Sequence, residues 1–274
     1  MLEMASVSVE EKMKTNKYLI VVTSEDLLEL KVKDINFLFP MTSYSVGFLK
    51  TFSLSEIQTP NAYLYINRIL DKEAIQNLKE DLKKMPSCVE GICFTDLGVM
   101  NIVKELHLQV KLIYMQNHNT TNALSINAYL EYMDSVLVST DITEEEIKTI
   151  LDSATKSLVV PYFSLVEVMY SRRTLLSNYN ENFGYSKRQE ELLHEGISNQ
   201  DFLAIENAYG TVLYAKKFID YRNIKHENIL YRYINPLGLT KEVVESVLKG
   251  KDVSSISDTG FLYKETYYRL KEEE

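Results

Sequence analysis

Polar side chains gather directly behind the apolar runs of this sequence, where they could serve chemistry. Asp96 follows GICFT (91–95), and Gln116, Asn117 and His118 follow KLIYM (111–115). Ser139 and Asp141 follow SVLV (135–138), and Tyr170, Ser171, Arg172 and Arg173 stand behind LVVPYFSLV (158–166). Carboxylate, amide, hydroxyl and guanidinium groups of this mix can hold an anion, because a guanidinium offers a planar fork that matches carboxylate or phosphate oxygens. We therefore take Asp96, Gln116, Asn117, Ser171, Arg172, Arg173 and, further along the same stretch, Asn178 as candidate ligand-binding residues. Each has a plainer reading. Asp96 precedes LGVMNIVKEL and fits a helix cap, Asn117, Asn119, Thr120 and Thr121 fit turn chemistry, and the arginine pair fits a solvated turn. No nucleophile is advertised, since Ser171 lacks a G-x-S-x-G frame. His118 has no Cys or His at ligand spacing, so no metal site is expected.

The elements that would position these residues alternate between short apolar runs and longer amphipathic ones. YLIVVT (18–23), FLFP (37–40), AYLYIN (62–67), GICFT, QVKLIYM (109–115), SVLVS (135–139) and SLVVPY (157–162) are strand candidates. Most precede a helical pattern. In DKEAIQNLKEDLKKM, Ile75, Leu78 and Leu82 share a face and Pro86 ends the run; DITEEEIKTIL carries a capping-box signature at Thr143 and Glu146. Near-continuous apolar strands separated by helices predict a parallel sheet covered on both faces. No G-x-G-x-x-G follows the first strand, which disfavours a dinucleotide fold. The expectation is an α/β protein, a TIM-barrel-like parallel (β/α) barrel that is irregular or incomplete, with the candidate residues at the carboxyl ends of its strands.

Residues 1–16 read as an N-terminal extension, 17–250 as the barrel domain with a polar insertion around 180–207, and 251–274 as a C-terminal tail. ENILYRYI (227–234) is expected to be the closing strand and LTKEVVESVLKG the final helix, with Thr240 at its N-cap. The chain has 274 residues, 45% of them hydrophobic, which is enough for a sizeable core. A net charge of −9 argues against a free-standing, non-specific nucleic-acid binder. The charged leading residues, and the lack of any run near the roughly 18 apolar residues of a membrane span, point to a cytoplasmic protein with no membrane partner. Cys88 and Cys93 alone make neither a disulfide framework nor a four-thiolate site.

Four blocks then carry a resemblance: TDLGVMNIVKEL, NALSINAYLEYMDSVLVSTDITEEEIKTIL, MYSRRTLLSNY and FLAIENAYGTVLYA. Together, from about Thr95 to Leu248, they resemble peptidase family U32, the collagenase-like peptidases. That resemblance implies a (β/α) barrel. It also implies kinship with members that hydroxylate nucleobases or quinone precursors, among them the wobble uridine of tRNA with prephenate as a required metabolite, by way of four cysteines that hold an iron–sulfur cluster. Aligned to a frame like C-V-S-Y-S-G-R-C-L-L-S-N-Y, this sequence has Glu167 and Thr174 at the first two cysteine positions and Arg172 in place of the glycine. The region of the third cysteine is shortened to NENFGYSKRQE, and YRYINP lacks an expected Glu and Arg. Neither Thr nor Glu replaces a thiolate on such a cluster.

The resemblance thus implies a chain that binds no cluster of its own. It is similar to the smaller of two adjacent paralogues in Gram-positive-type bacteria, an auxiliary subunit in prephenate-dependent tRNA hydroxylation. The expected partner is a longer cysteine-bearing paralogue, with tRNA reached through it and prephenate as a ligand. Two alternatives are a peptidase, as the family name has it although no catalytic set can be assigned, and a module binding an anionic metabolite through Arg172 or Arg173.

Overall fold

The computed structural model describes residues 17–197 and 199–264. The extension over 1–16 and the end of the tail, 265–274, lie outside them. Six strands pair in chain order, all parallel: β1 (Tyr18–Val21), β2 (Ile35–Pro40), β3 (Ala62–Ile66), β4 (Val89–Phe94), β5 (Lys111–Tyr114) and β6 (Ser135–Val136). Almost all of their residues are buried, as expected of parallel strands covered on both faces. Four helices follow β3 to β6 in turn: α1 (Lys72–Leu82), α2 (Gly98–Glu105), α3 (Ala123–Leu130) and α4 (Glu144–Ser153).

Local chemistry starts these helices. The Asp71 carboxylate accepts the Ala74 N–H at 2.9 Å, and Asn122 accepts that of Ser125 at 2.9 Å. The Thr143 and Glu146 capping box forms as the spacing predicts. Each such cap satisfies donors that the first turn leaves free and stabilises the helix by about 1 kcal/mol. The final helix, α6 (Lys241–Leu248), also starts behind Thr240, although the threonine side chain makes no cap bond.

The expected seventh strand is much longer than SLVVPY. β7 (Leu158–Ser171) runs through Glu167, Val168, Met169 and Tyr170, so the first part of EVMYSRRTLLSNY is strand, and α5 (Leu175–Phe183) takes the rest. The beginning of β7 pairs parallel with β11 (Ile229–Asn235), which itself pairs parallel with β1, so the run expected to close the sheet does lie between first and seventh strands. The end of β7 pairs antiparallel with β10 (Gly210–Asp220), followed by β9 (Gln200–Asn207) and β8 (Glu190–Glu195), also antiparallel. What reads as a polar insertion around 180–207 is therefore a helix and an antiparallel extension of the main sheet.

The path runs β6-β5-β4-β3-β2-β1-β11-β7-β10-β9-β8, with the short β12 (Ser257–Asp258) beside β10. As a ladder this is one open sheet of 12 strands. β6 touches β7 at a single parallel bridge, Leu137 to Val159, where the Val138 N–H donates to the Val159 carbonyl at 2.9 Å. The physical reason is the brevity of β6. SVLVS is expected to be strand throughout, but beyond Val138 the backbone turns to other partners: Ser139 N–H donates to the Thr120 carbonyl and Thr140 N–H to the Asn117 side chain.

Inner side chains join strands that are not neighbours. The Tyr63 (β3) and Tyr231 (β11) hydroxyls lie 2.7 Å apart over β1 and β2, with their rings edge to face at 5.7 Å. Tyr65 and Tyr233, two residues further along the same strands, form a second hydroxyl pair. Both pairs are buried, and such contacts add to the area term of aromatic burial.

Candidate functional site

Beyond the second tyrosine pair, at the carboxyl ends of the strands, lies a cavity of about 910 Å³. Glu167 from β7, His118 and Asp141 from the loops behind β5 and β6, Phe202 from β9 and Lys216 and Phe218 from β10 all line it. Glu167 is half-buried and lines this cavity. Burial pushes its carboxyl above the usual carboxylate range, and His118 pulls it part of the way back. The Tyr65, Tyr214 and Tyr233 hydroxyls are raised first by burial, with the Glu167 charge among the further causes, so they stay neutral donors. β10 is seated by Tyr214, whose hydroxyl donates to the Gly47 carbonyl at 3.2 Å. Gly47 has φ +78°, and a Cβ there would lie 2.4 Å from the Tyr214 oxygen, so only glycine fits this approach.

This arrangement can hold a proton on Glu167 at the edge of the cavity, above tyrosine hydroxyls that are bonded to one another or to the Gly47 carbonyl. The Ser171 hydroxyl oxygen accepts the Arg173 N–H at 3.2 Å. Since the folded chain binds the Glu167 proton more tightly than the unfolded one, its stabilising contribution is present at low pH. It is lost as pH rises from the unfolded value through the higher folded one. Glu167→Gln cannot ionise. Denaturant unfolding is therefore expected to find it more stable than the wild type at pH 7, with the gain fading towards about pH 4, near the unfolded carboxyl value. Equal loss of stability at both pH values would contradict this.

The seven predicted ligand-binding residues do not form a single contact set. Asn117 ties two loops together, accepting the Thr140 N–H at 2.7 Å and donating to Asp141 Oδ2 at 3.2 Å; His118 Nδ1 lies 3.4 Å from the same oxygen. The Gln116 carbonyl accepts the Thr120 hydroxyl at 2.8 Å. Asp96 accepts backbone N–H groups of Leu70 (3.0 Å) and Gly98 (2.8 Å), one residue ahead of the cap expected of it. Arg172 reaches across to Asp71, Nη2 to Oδ2 at 3.5 Å, while the Arg173 carbonyl accepts the Leu175 N–H. Asn178 is on an exposed face of α5.

Two residues escaped the sequence reading. Glu206, on β9 and 3% exposed, turns its carboxylate to the start of α5, accepting the N–H groups of Leu176 (2.7 Å) and Ser177 (3.0 Å) and the hydroxyls of Ser177 and Thr211. Arg68, behind β3, is 6% exposed, with its guanidinium 4.0 Å above the Tyr209 ring. The chain signal for both is FLAIENAYGTVLYA, which contains Glu206, Tyr209 and Thr211; it supplies the cap and the stacking ring.

The model of peptidase family U32 matches residues 50–189, about half the chain. This protein belongs to family U32. The match begins earlier than Thr95 and stops short of FLAIENAYGTVLYA. No curated protein gives a significant match. Among solved structures, this U32 chain is similar to a chitinase from Chromobacterium violaceum (10% identity, 85% of this chain and 99% of that one, TM-score 0.42). It is also similar to the spore cortex-lytic enzyme SleL of Bacillus cereus (10% identity, 88% and 75%, TM-score 0.42). Likeness this slight carries no argument about activity.

The iron–sulfur cluster that the resemblance implies would need thiolate ligands. Glu167 and Thr174 occupy the two aligned ligand positions. Cys88 precedes β4, at the amino end of the strands, and donates to the Ile57 carbonyl. Cys93 is fully buried, and burial raises its thiol well above the ordinary value, whereas a cluster ligand must be a thiolate. Among the described residues, no group of three or more His, Cys, Asp or Glu side chains could hold a metal ion, and no helix is long and apolar enough to cross a membrane.

Proposed function

We propose that this chain is a non-redox U32 protein that serves as the auxiliary subunit of a longer, cysteine-bearing paralogue in prephenate-dependent hydroxylation of the tRNA wobble uridine. The observation that carries the reading is the fate of one frame. EVMYSRRTLLSNY supplies the end of β7 and the start of α5, capped by Glu206, yet holds Glu167 and Thr174 in place of two thiolates. The scaffold is kept and the ligands are replaced, which suits a subunit that contributes surface and binding rather than electron transfer.

An exposed aromatic group at the end of this frame and just behind it supports a partner. Tyr179, Phe183 and Tyr185 are each more than half exposed, with rings 4.8 to 6.2 Å apart. Aromatic side chains in such a patch are typical of protein interfaces. Eight parallel strands and the Leu137–Val159 bridge further support a (β/α) barrel with an incomplete seam, its working end at the cavity.

Nucleoside mass spectrometry of tRNA tests this reading, in a host lacking this gene and in one lacking it together with the paralogue's. Loss of wobble 5-hydroxyuridine derivatives in the single deletion is the expected result. Unchanged levels in both strains would remove the reading.

A further inference from the structure

Arg68 poses a chemical problem that the rest of the fold does not solve. Its guanidinium is permanently charged and carries five N–H donors, yet the residue is only 6% exposed. Among the described residues none of those donors makes a hydrogen bond, and Nε is fully buried without a partner. A buried donor left unsatisfied costs free energy that a native structure normally avoids.

The neighbouring carboxylate does not resolve this. Asp71 Oδ2 is 4.0 Å from Arg68 Nη2, beyond hydrogen-bonding distance, and 3.5 Å from Arg172 Nη2; its other oxygen is taken by the α1 cap. Two guanidinium charges thus face one carboxylate that is already in use. The group is also held in place. Tyr209 lies under it at 4.0 Å, and the Tyr209–Gly210 turn is pressed against β7, where a Cβ on Gly210 (φ +141°) would come within 2.1 Å of the Ser171 carbonyl. The surplus is positive, forked and fixed before any ligand arrives, which is what favours binding of a planar or tetrahedral oxyanion.

We propose that Arg68 and Arg172 form a receptor for the oxyanion of a small molecule, a carboxylate or a phosphate group. A nucleic-acid backbone fits less well, since among the described residues two guanidiniums converge here, on a chain of net charge −9. The receptor stands apart from the tRNA reading, because its test needs this chain alone.

Thermal unfolding of the full chain is followed in sodium phosphate, in malonate and in chloride at equal ionic strength. Phosphate or malonate is expected to raise the midpoint saturably above chloride, as a ligand of the native state must. The anion that acts at lower concentration tells the phosphate source from the carboxylate source. Arg172→Gln, an exposed change compatible with folding, is expected to weaken the effect roughly tenfold, and Arg68→Lys, which keeps charge but loses the fork, to weaken it too. In ¹⁵N spectra, the Arg68 Nε–H resonance is expected to move on titration with the effective anion. No rise above chloride with either anion, or a rise unchanged in both variants, would overturn the proposal. So would binding of a short oligoribonucleotide where both small anions fail.

Discussion

Glu206→Ala is expected to destabilise this protein by about 3 kcal/mol or more, the largest loss that one side chain near the site would produce. The buried carboxylate accepts two backbone N–H groups and two hydroxyls, and alanine offers none of them an alternative. Leu176 N–H, itself in a buried residue, would be left without a partner. The thermal midpoint should fall by roughly 6–12 °C for a chain of this size. Amide exchange at Leu176 and Ser177 should accelerate more than in the parallel strands. Glu206→Gln keeps one carbonyl acceptor and is expected to lose less. If Glu206→Ala unfolds within a degree or so of the wild type, with those two amides as protected as before, the carboxylate is not what holds α5 in place.

The second large effect lies deeper. In β4, a Cβ on Gly91 would sit 2.3 Å from Tyr63 Cε1 and 2.9 Å from the Lys111 carbonyl oxygen. The ring cannot swing aside cheaply, because the Tyr63 hydroxyl is bonded to that of Tyr231 and the two rings pack edge to face. Gly91→Ala is therefore expected to cost about 3 kcal/mol, at the upper end of overpacking. Adding Tyr63→Leu should recover part of the loss, which a double-mutant cycle in denaturant would read as favourable coupling between the two changes. An alanine variant as stable as the wild type would mean that strands β3 to β5 can spread.

The order β1 to β6 with its helices was readable because each strand is apolar throughout and each helix after β3 has a cap or a face that periodicity exposes. Thr143 and Glu146 are the clearest case, a local signal with a local outcome. The end of β7 was not readable: EVMYS alternates only weakly and is half-exposed, and its pairing with β10 depends on residues far along the chain. β8 hid for the same reason, its Glu190–Glu195 run lying polar and exposed along the last strand of the path. At the site, Glu167 could be named from the frame, but not its place against the tyrosine pairs, which is set by β3 and β11 together. Arg68 stands in no motif, and Glu206, although it lies in FLAIENAYGTVLYA, is not marked there as a cap. Their environments are made by contacts across the chain, Tyr209 for one and the start of α5 for the other.

β7 belongs to two kinds of pairing at once: parallel to β11 over its first half and antiparallel to β10 over its second, the two overlapping near Phe163 and Ser164. In folding terms, it is a template handed from one unit to the next. The two pairings share only Phe163 and Ser164, so the antiparallel segment with α5 can open as a unit while the beginning of β7 stays paired to β11. Opening there would uncover Glu167 and release Tyr209 from Arg68 in the same event, while the tyrosine pairs beneath stayed closed. Hydrogen exchange would register this as a step in protection partway along a single strand.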